Sequence, residues 1–125
     1  MRELFETMIE RLFADLATPA YVLGCEGGEW PAQLWSALDD SGFTLAGAPE
    51  ALGGAGATWA DMYVMVRAAG RHAVPAPLGE ALLANWLLGK AGLEGREGAL
   101  SIAARAELSL ADGCVSGIAR AVPWG

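Results

Sequence analysis

The sequence predicts a mainly α fold, in which four helices are followed by the opening strands of a sheet. Three observations predict it. Apolar residues recur at helical spacing in most of the chain up to Lys90. Breaks rich in proline and glycine divide that stretch into separate helices, and after Gly92 the composition turns strand-like. Helices first and strands afterwards indicate an α+β chain or two domains, here a helical domain over 1–93 and an incomplete β-domain over 94–125.

The first helix is carried by Leu4, Phe5, Met8, Ile9, Leu12, Phe13 and Leu16, with Glu3, Glu6, Glu10 and Arg11 on its other face. Thr18-Pro19 stops it, because a residue before proline avoids the helical region. Gly24 to Glu29 reads as a flexible loop. Pro31 suits the first position of a second helix reaching about Ser41, with Leu34, Trp35 and Leu38 inward and Gly42 as a left-handed cap. Thr58 and Asp61 form a capping-box-like start for the third helix, whose inner stripe is Met62, Val66 and Ala69. Val74-Pro75-Ala76-Pro77 breaks it. The fourth helix, Leu78 to about Lys90, is apolar nearly all round and is expected to be buried on most sides.

Beyond it, Ala99–Ala104 and Cys114–Val122 read as strands, with Asp112-Gly113 as a hairpin turn signal. The alternation Ile118, Arg120, Val122 fits a strand with one exposed face. A pair of strands is marginal by itself, so the sheet is expected to continue beyond this chain.

Composition excludes several functions. The chain has 125 residues and a net charge of −7, and its eight basic residues are scattered, which argues against a nucleic-acid or anionic-membrane surface. The longest apolar run falls far short of the ~20 residues of a spanning helix. Acidic residues interrupt the amino terminus, so it does not read as a signal peptide, and a cytoplasmic location is expected. Cys25 and Cys114 are expected to be reduced and buried. With a single histidine, the sequence shows no metal-ligand spacing.

The run from Gly42 to Gly56 contains Pro49-Glu50, two spacers, Gly53-Gly54 and Gly56. Around it stand a Leu-Trp helix, a helix ending Ala69-Gly70-Arg71, a Pro-x-Pro loop and an apolar helix. In this order the chain resembles the amino-terminal part of the acyl-CoA dehydrogenases. Val115-Ser116-Gly117 and the closing Val122-Pro123-Trp124-Gly125 resemble the first strands of that family's middle β-domain. The closing run is similar to members that pair unlike subunits and act on bulky substrates such as steroid side chains.

The resemblance implies an orthogonal four-helix domain. In the complete enzyme it implies FAD, an acyl-CoA substrate and an oligomer of like or unlike subunits. Such enzymes oxidise a thioester between its α and β carbons. A glutamate, in most members in the carboxyl-terminal domain, removes the α-proton, and the flavin accepts the hydride. Neither that glutamate nor the flavin-contacting segment lies here, so this chain alone is expected to hold no catalytic or cofactor-binding residue and no FAD. What carries over is one wall of the acyl pocket: Leu78, Glu80, Ala81, Leu83 and Ala84. The alternative is a non-catalytic helical module that docks on a flavin-bearing partner.

Other residues invite sharper readings. Gly53-Gly54-Ala55-Gly56 could cradle a phosphate, but it lacks the Lys-Ser/Thr pair of a P-loop and reads as a tight structural loop with Pro49 and Glu50. Glu50 is expected to cap loop N–H groups rather than to act as a base. His72, at a helix end without a Ser or Cys neighbour, reads as a cap. The five tryptophans are spread through the elements as core or interface residues. Glu80 either favours the positive end of its helix or faces a bound thioester.

Overall fold

The computed structural model describes residues 1–124; Gly125, the last residue of the closing run, lies outside it. The chain forms helices α1 (Arg2–Leu16), α2 (Pro19–Cys25), α3 (Ala32–Asp40), α4 (Trp59–Arg71) and α5 (Leu78–Lys90), followed by strands β1 (Arg105–Ala111) and β2 (Cys114–Arg120). Two 3-10 turns, Phe43–Leu45 and Glu50–Leu52, lie between α3 and α4. The four expected helices form, and the hairpin follows them.

α2 is the addition. Part of the stretch expected to be a flexible loop is helical, because Thr18 caps it by accepting the Tyr21 N–H at 3.2 Å and Pro19 occupies its first turn. Thr18-Pro19 thus ends one helix and starts the next. Gly42 lies in the left-handed region as expected, at φ 75.

One core joins the elements. Ile9 and Phe13 of α1, Leu34 and Leu38 of α3, Phe43, Met65 of α4, and Leu78 and Leu82 of α5 are all essentially inaccessible. Burying each such side chain contributes about 1.5–3 kcal/mol before entropy is counted. α4 differs from the expected stripe: Met62, Met65 and Ala68 face inward, Ala69 is half-buried, and Val66 is exposed with Trp59 and Tyr63. Residues 59, 63 and 66 share one side at helical spacing, opposite the core. Along the edge between α1 and α4, Arg67 pairs with Glu6, Arg71 meets Glu10 at 3.0 Å, and His72 Nε2 lies 2.8 Å from Glu10 Oε2. His72 is the carboxyl-terminal cap of α4 and also ties it to α1.

Just past that cap, Ala73 sits at φ 49, a conformation costing an L-residue about 1–2 kcal/mol. Ala73→Gly is therefore expected to stabilise the chain by about 0.5–1 kcal/mol, read as a higher urea midpoint.

The capping box at the start of α4 forms in full. Thr58 Oγ1 accepts the Asp61 N–H at 3.2 Å, and Asp61 Oδ2 accepts both the Thr58 N–H at 2.9 Å and its hydroxyl at 2.7 Å. The Thr58 hydroxyl and N–H, aided by Arg2, hold the Asp61 carboxyl below its ordinary value of 3.8. A carboxylate depressed in the fold contributes stability that is present above its unfolded value and lost as pH falls through the folded one. Thr58→Ala should cost about 0.5–2 kcal/mol at neutral pH and flatten the loss of stability below pH ~4. Urea midpoints of both proteins across that range check this.

The hairpin corrects three expectations. β1 begins at Arg105, so Ala99–Ala104 is not a strand. The cause is register: Asp112 and Gly113 both have positive φ, and the tight turn pairs Ala111 with Cys114 and so on to Arg105 with Arg120. Residues 99–104 then have no strand opposite them, and Ala121 at φ 52 ends β2. Every residue of both strands is exposed, so the hairpin is solvated on both faces rather than one. Cys114 is accordingly exposed and Cys25 half-buried, against the expectation that both are buried; both are free thiols.

Candidate functional site

The site is built where the Gly42–Gly56 run lies against α5. Its chain turns twice. Gly53 occupies the left-handed region at φ 91, and the Gly54 N–H reaches back to the Pro49 carbonyl at 3.0 Å. The Gly56 N–H bonds the Ala48 carbonyl at 2.8 Å and Ala57 N–H bonds that of Ala46 at 2.8 Å. A Cβ on Gly54 would stand 2.0 Å from the Ala48 oxygen, so this crossing admits only glycine.

These hydrogen bonds decide what the loop can do. The N–H groups of Gly53, Gly54 and Gly56 all point into the loop's own carbonyls, leaving them unavailable to an anion. These three donors therefore do not cradle a phosphate. Glu50 is exposed, and among the described residues its side chain makes no hydrogen bond, so the expected capping does not form.

α5 receives the loop through close approach. A Cβ on Gly89 would lie 2.4 Å from Pro49 Cδ, and one on Gly47 would lie 3.2 Å from the Leu82 carbonyl. Between these contacts stands Asn85, the one polar residue of α5 that is fully buried. Its Nδ2 donates to the Thr44 carbonyl at 2.8 Å and the Arg96 carbonyl at 3.1 Å, and its Oδ1 accepts the Arg96 N–H at 2.8 Å. Asn85 thus fastens both the first 3-10 turn of the Gly42–Gly56 run, the signature loop, and the connector after α5. Two more bonds hold that connector: Gly95 N–H to the Leu52 carbonyl at 2.9 Å, and Gly98 N–H to Asp39 Oδ2 at 3.1 Å.

So fixed, the connector brings residues 100–103 alongside α5. Ala84, Leu87, Leu88 and Ala91 face Leu100, Ser101, Ile102 and Ala103 across an open groove of about 360 Å³. Its lining is apolar apart from Ser101, suited to an alkyl chain and lacking any group to hold a charge.

Of the five α5 residues named as pocket lining, only Ala84 lies in this groove. Leu78 and Ala81 are wholly buried in the core and do not reach this groove. Glu80 and Leu83 are half-buried elsewhere on the helix surface. Leu87, Leu88 and Ala91 were not singled out, although α5 is too apolar for one buried face and so signalled a second apolar contact. Leu100, Ile102 and Ala103 had no such signal, since only the connector's path brings them there.

No cluster of His, Cys, Asp or Glu among the described residues could hold a metal ion. None of their helices is long and apolar enough to cross a membrane.

Comparison with known proteins adds one finding. The family model described as Acyl-CoA dehydrogenase, N-terminal domain, matches residues 1–95, which takes in all five helices, the signature loop and the connector as far as Gly95. Neither the curated proteins nor the solved structures give a match. Since the match covers most of the chain and agrees with the helical architecture, this chain belongs to the acyl-CoA dehydrogenase family, through that family's N-terminal domain.

Proposed function

We propose that this chain forms one side of the acyl pocket in an FAD-dependent acyl-CoA dehydrogenase, acting with a segment or subunit that supplies flavin and base. Residues 1–93 serve as its helical domain, and 94–125 open the middle β-domain. The observation that carries the reading is the apolar groove between α5, inside the family match, and residues 100–103, a few residues beyond its end at residue 95. Flavin, when bound, accepts the hydride lost from the β-carbon of the thioester. This chain's own contribution is to exclude water and align the alkyl part of the substrate. Ala84, Leu87 and Ile102 present the nearest surface for it, with Glu80 and Leu83 facing the assembled remainder. The working protein is an oligomer of the cytoplasm, and its substrate is an acyl-CoA.

The test has two arms. Purified alone, the chain should show no flavin band near ~450 nm after dialysis and no oxidation of any acyl-CoA. Expressed with the coding sequence that follows or adjoins it in the genome, it should co-purify with flavin that bleaches when acyl-CoA is added without oxygen. Ala84→Trp in that assembly should raise KM for long acyl chains about tenfold or more and leave short ones nearly unchanged. Flavin retained by the isolated chain would overturn the reading, as would an assembly that acyl-CoA leaves oxidised. A flavin-bearing partner that is equally active without this chain would favour the docking-module alternative.

A further inference from the structure

The open end of the hairpin carries an arrangement that the acyl reading does not use. Arg105 and Arg120 are directly opposite in the register of β1 and β2. Cβ atoms of such a pair stand about 4.5–5.5 Å apart on one face, and like charges there repel. Both residues are exposed and line a hollow of about 400 Å³ with Ala104, Ala106, Glu107 and Ile118.

Neither arginine has a carboxylate partner within ion-pair distance among the described residues. Of the six other cations, the side chains of Arg11 and Arg96 likewise make no ion pair among the described residues, each standing alone, whereas four have partners. Arg2, Arg67 and Arg71 each face an acid, and Lys90 lies over the Trp86 ring. In a chain with fifteen acidic and eight basic residues, two guanidiniums left opposite one another are a local reversal of charge. A guanidinium fork matches the oxygens of a phosphate in bidentate fashion, and an anion between two such forks would turn their repulsion into attraction. Glu107, the remaining charge at the hollow, sits opposite Ile118, the next pair on that face. A carboxylate there accepts hydroxyl groups and disfavours a second anion.

We propose that Arg105 and Arg120 form a clamp for a single phosphate or pyrophosphate group, with Glu107 beside it to accept a hydroxyl of the molecule that bears it. The assignment rests on the hairpin alone and stands or falls apart from the acyl-pocket reading.

The test is calorimetric titration of the full chain at low salt with two probes, inorganic pyrophosphate and free coenzyme A. Binding of both with equal affinity identifies the phosphate itself as the ligand. Tighter binding of coenzyme A that Glu107→Gln weakens identifies a nucleotide-borne phosphate. Arg105→Gln and Arg120→Gln should each weaken binding about tenfold or more, and added salt should weaken it further. Arg11→Gln removes the same charge from the exposed face of α1 and should leave binding unchanged. Arg105→Glu should abolish binding and raise Tm, because it replaces a repelling cross-strand pair with an attracting one. The proposal is overturned if neither probe binds in hundredfold excess, if both arginine variants bind as the parent does, or if Arg11→Gln weakens binding as much as they do.

Discussion

Asn85→Leu is expected to destabilise the chain by about 3 kcal/mol, although leucine is nearly the same size and the helix around it is apolar. Three hydrogen bonds disappear together, to Thr44 O, Arg96 O and Arg96 N. Thr44 is fully buried, so its carbonyl loses a partner where water cannot replace it, at a cost of about 1–3 kcal/mol. Arg96 is exposed, and its backbone recovers part of its loss from solvent. Against a typical stability of 5–15 kcal/mol the effect is large. The urea midpoint should fall, and residues 94–98 should exchange amide hydrogens faster than α1 or α4, because the connector loses its anchor before the core does. Uniform acceleration across the chain, or an unchanged midpoint, would show that Asn85 does not hold the connector.

Gly54→Val should cost at least as much, on the order of 3 kcal/mol or more, for a different reason. Its Cβ would lie 2.0 Å from the Ala48 oxygen and 2.4 Å from the Ala48 carbonyl carbon, atoms of backbone that cannot swing aside as a side chain can. Gly53→Val is the instructive comparison. That position has open space around it but sits at φ 91, so the penalty is strain alone, about 1–3 kcal/mol. Denaturant midpoints of the two variants separate a steric requirement for glycine from a conformational one. Equal midpoints would mean that the crossing at Ala48 relaxes more easily than its geometry implies.

Sequence alone determined the identity of the elements whose causes are local. α1, α3, α4 and α5 follow from apolar spacing, from the Thr58–Asp61 box, from the Pro31 start and from the break at Val74–Pro77. The hairpin turn at Asp112-Gly113 follows from the readiness of those residues to take positive φ. The family, too, was legible, because Pro49, Gly53, Gly54 and Gly56 meet backbone requirements that few other residues satisfy.

Only the tertiary structure decided which side of each helix is covered, since that depends on neighbours far away in the chain. α5 is apolar on more than one side, so its pattern could not say that Leu78 and Ala81 face the core while Ala84 and Leu87 face a groove. Val66 reads as inward by spacing, yet α1 packs against the side of α4 that carries Met65 and Ala68. The start of β1 was likewise set at a distance, by counting back from the turn through the pairing with β2. Asn85 is the clearest case. In sequence it is a polar interruption of an apolar helix, and only the arrival of Thr44 and Arg96 on either side makes it the fastening point of the loop and the connector.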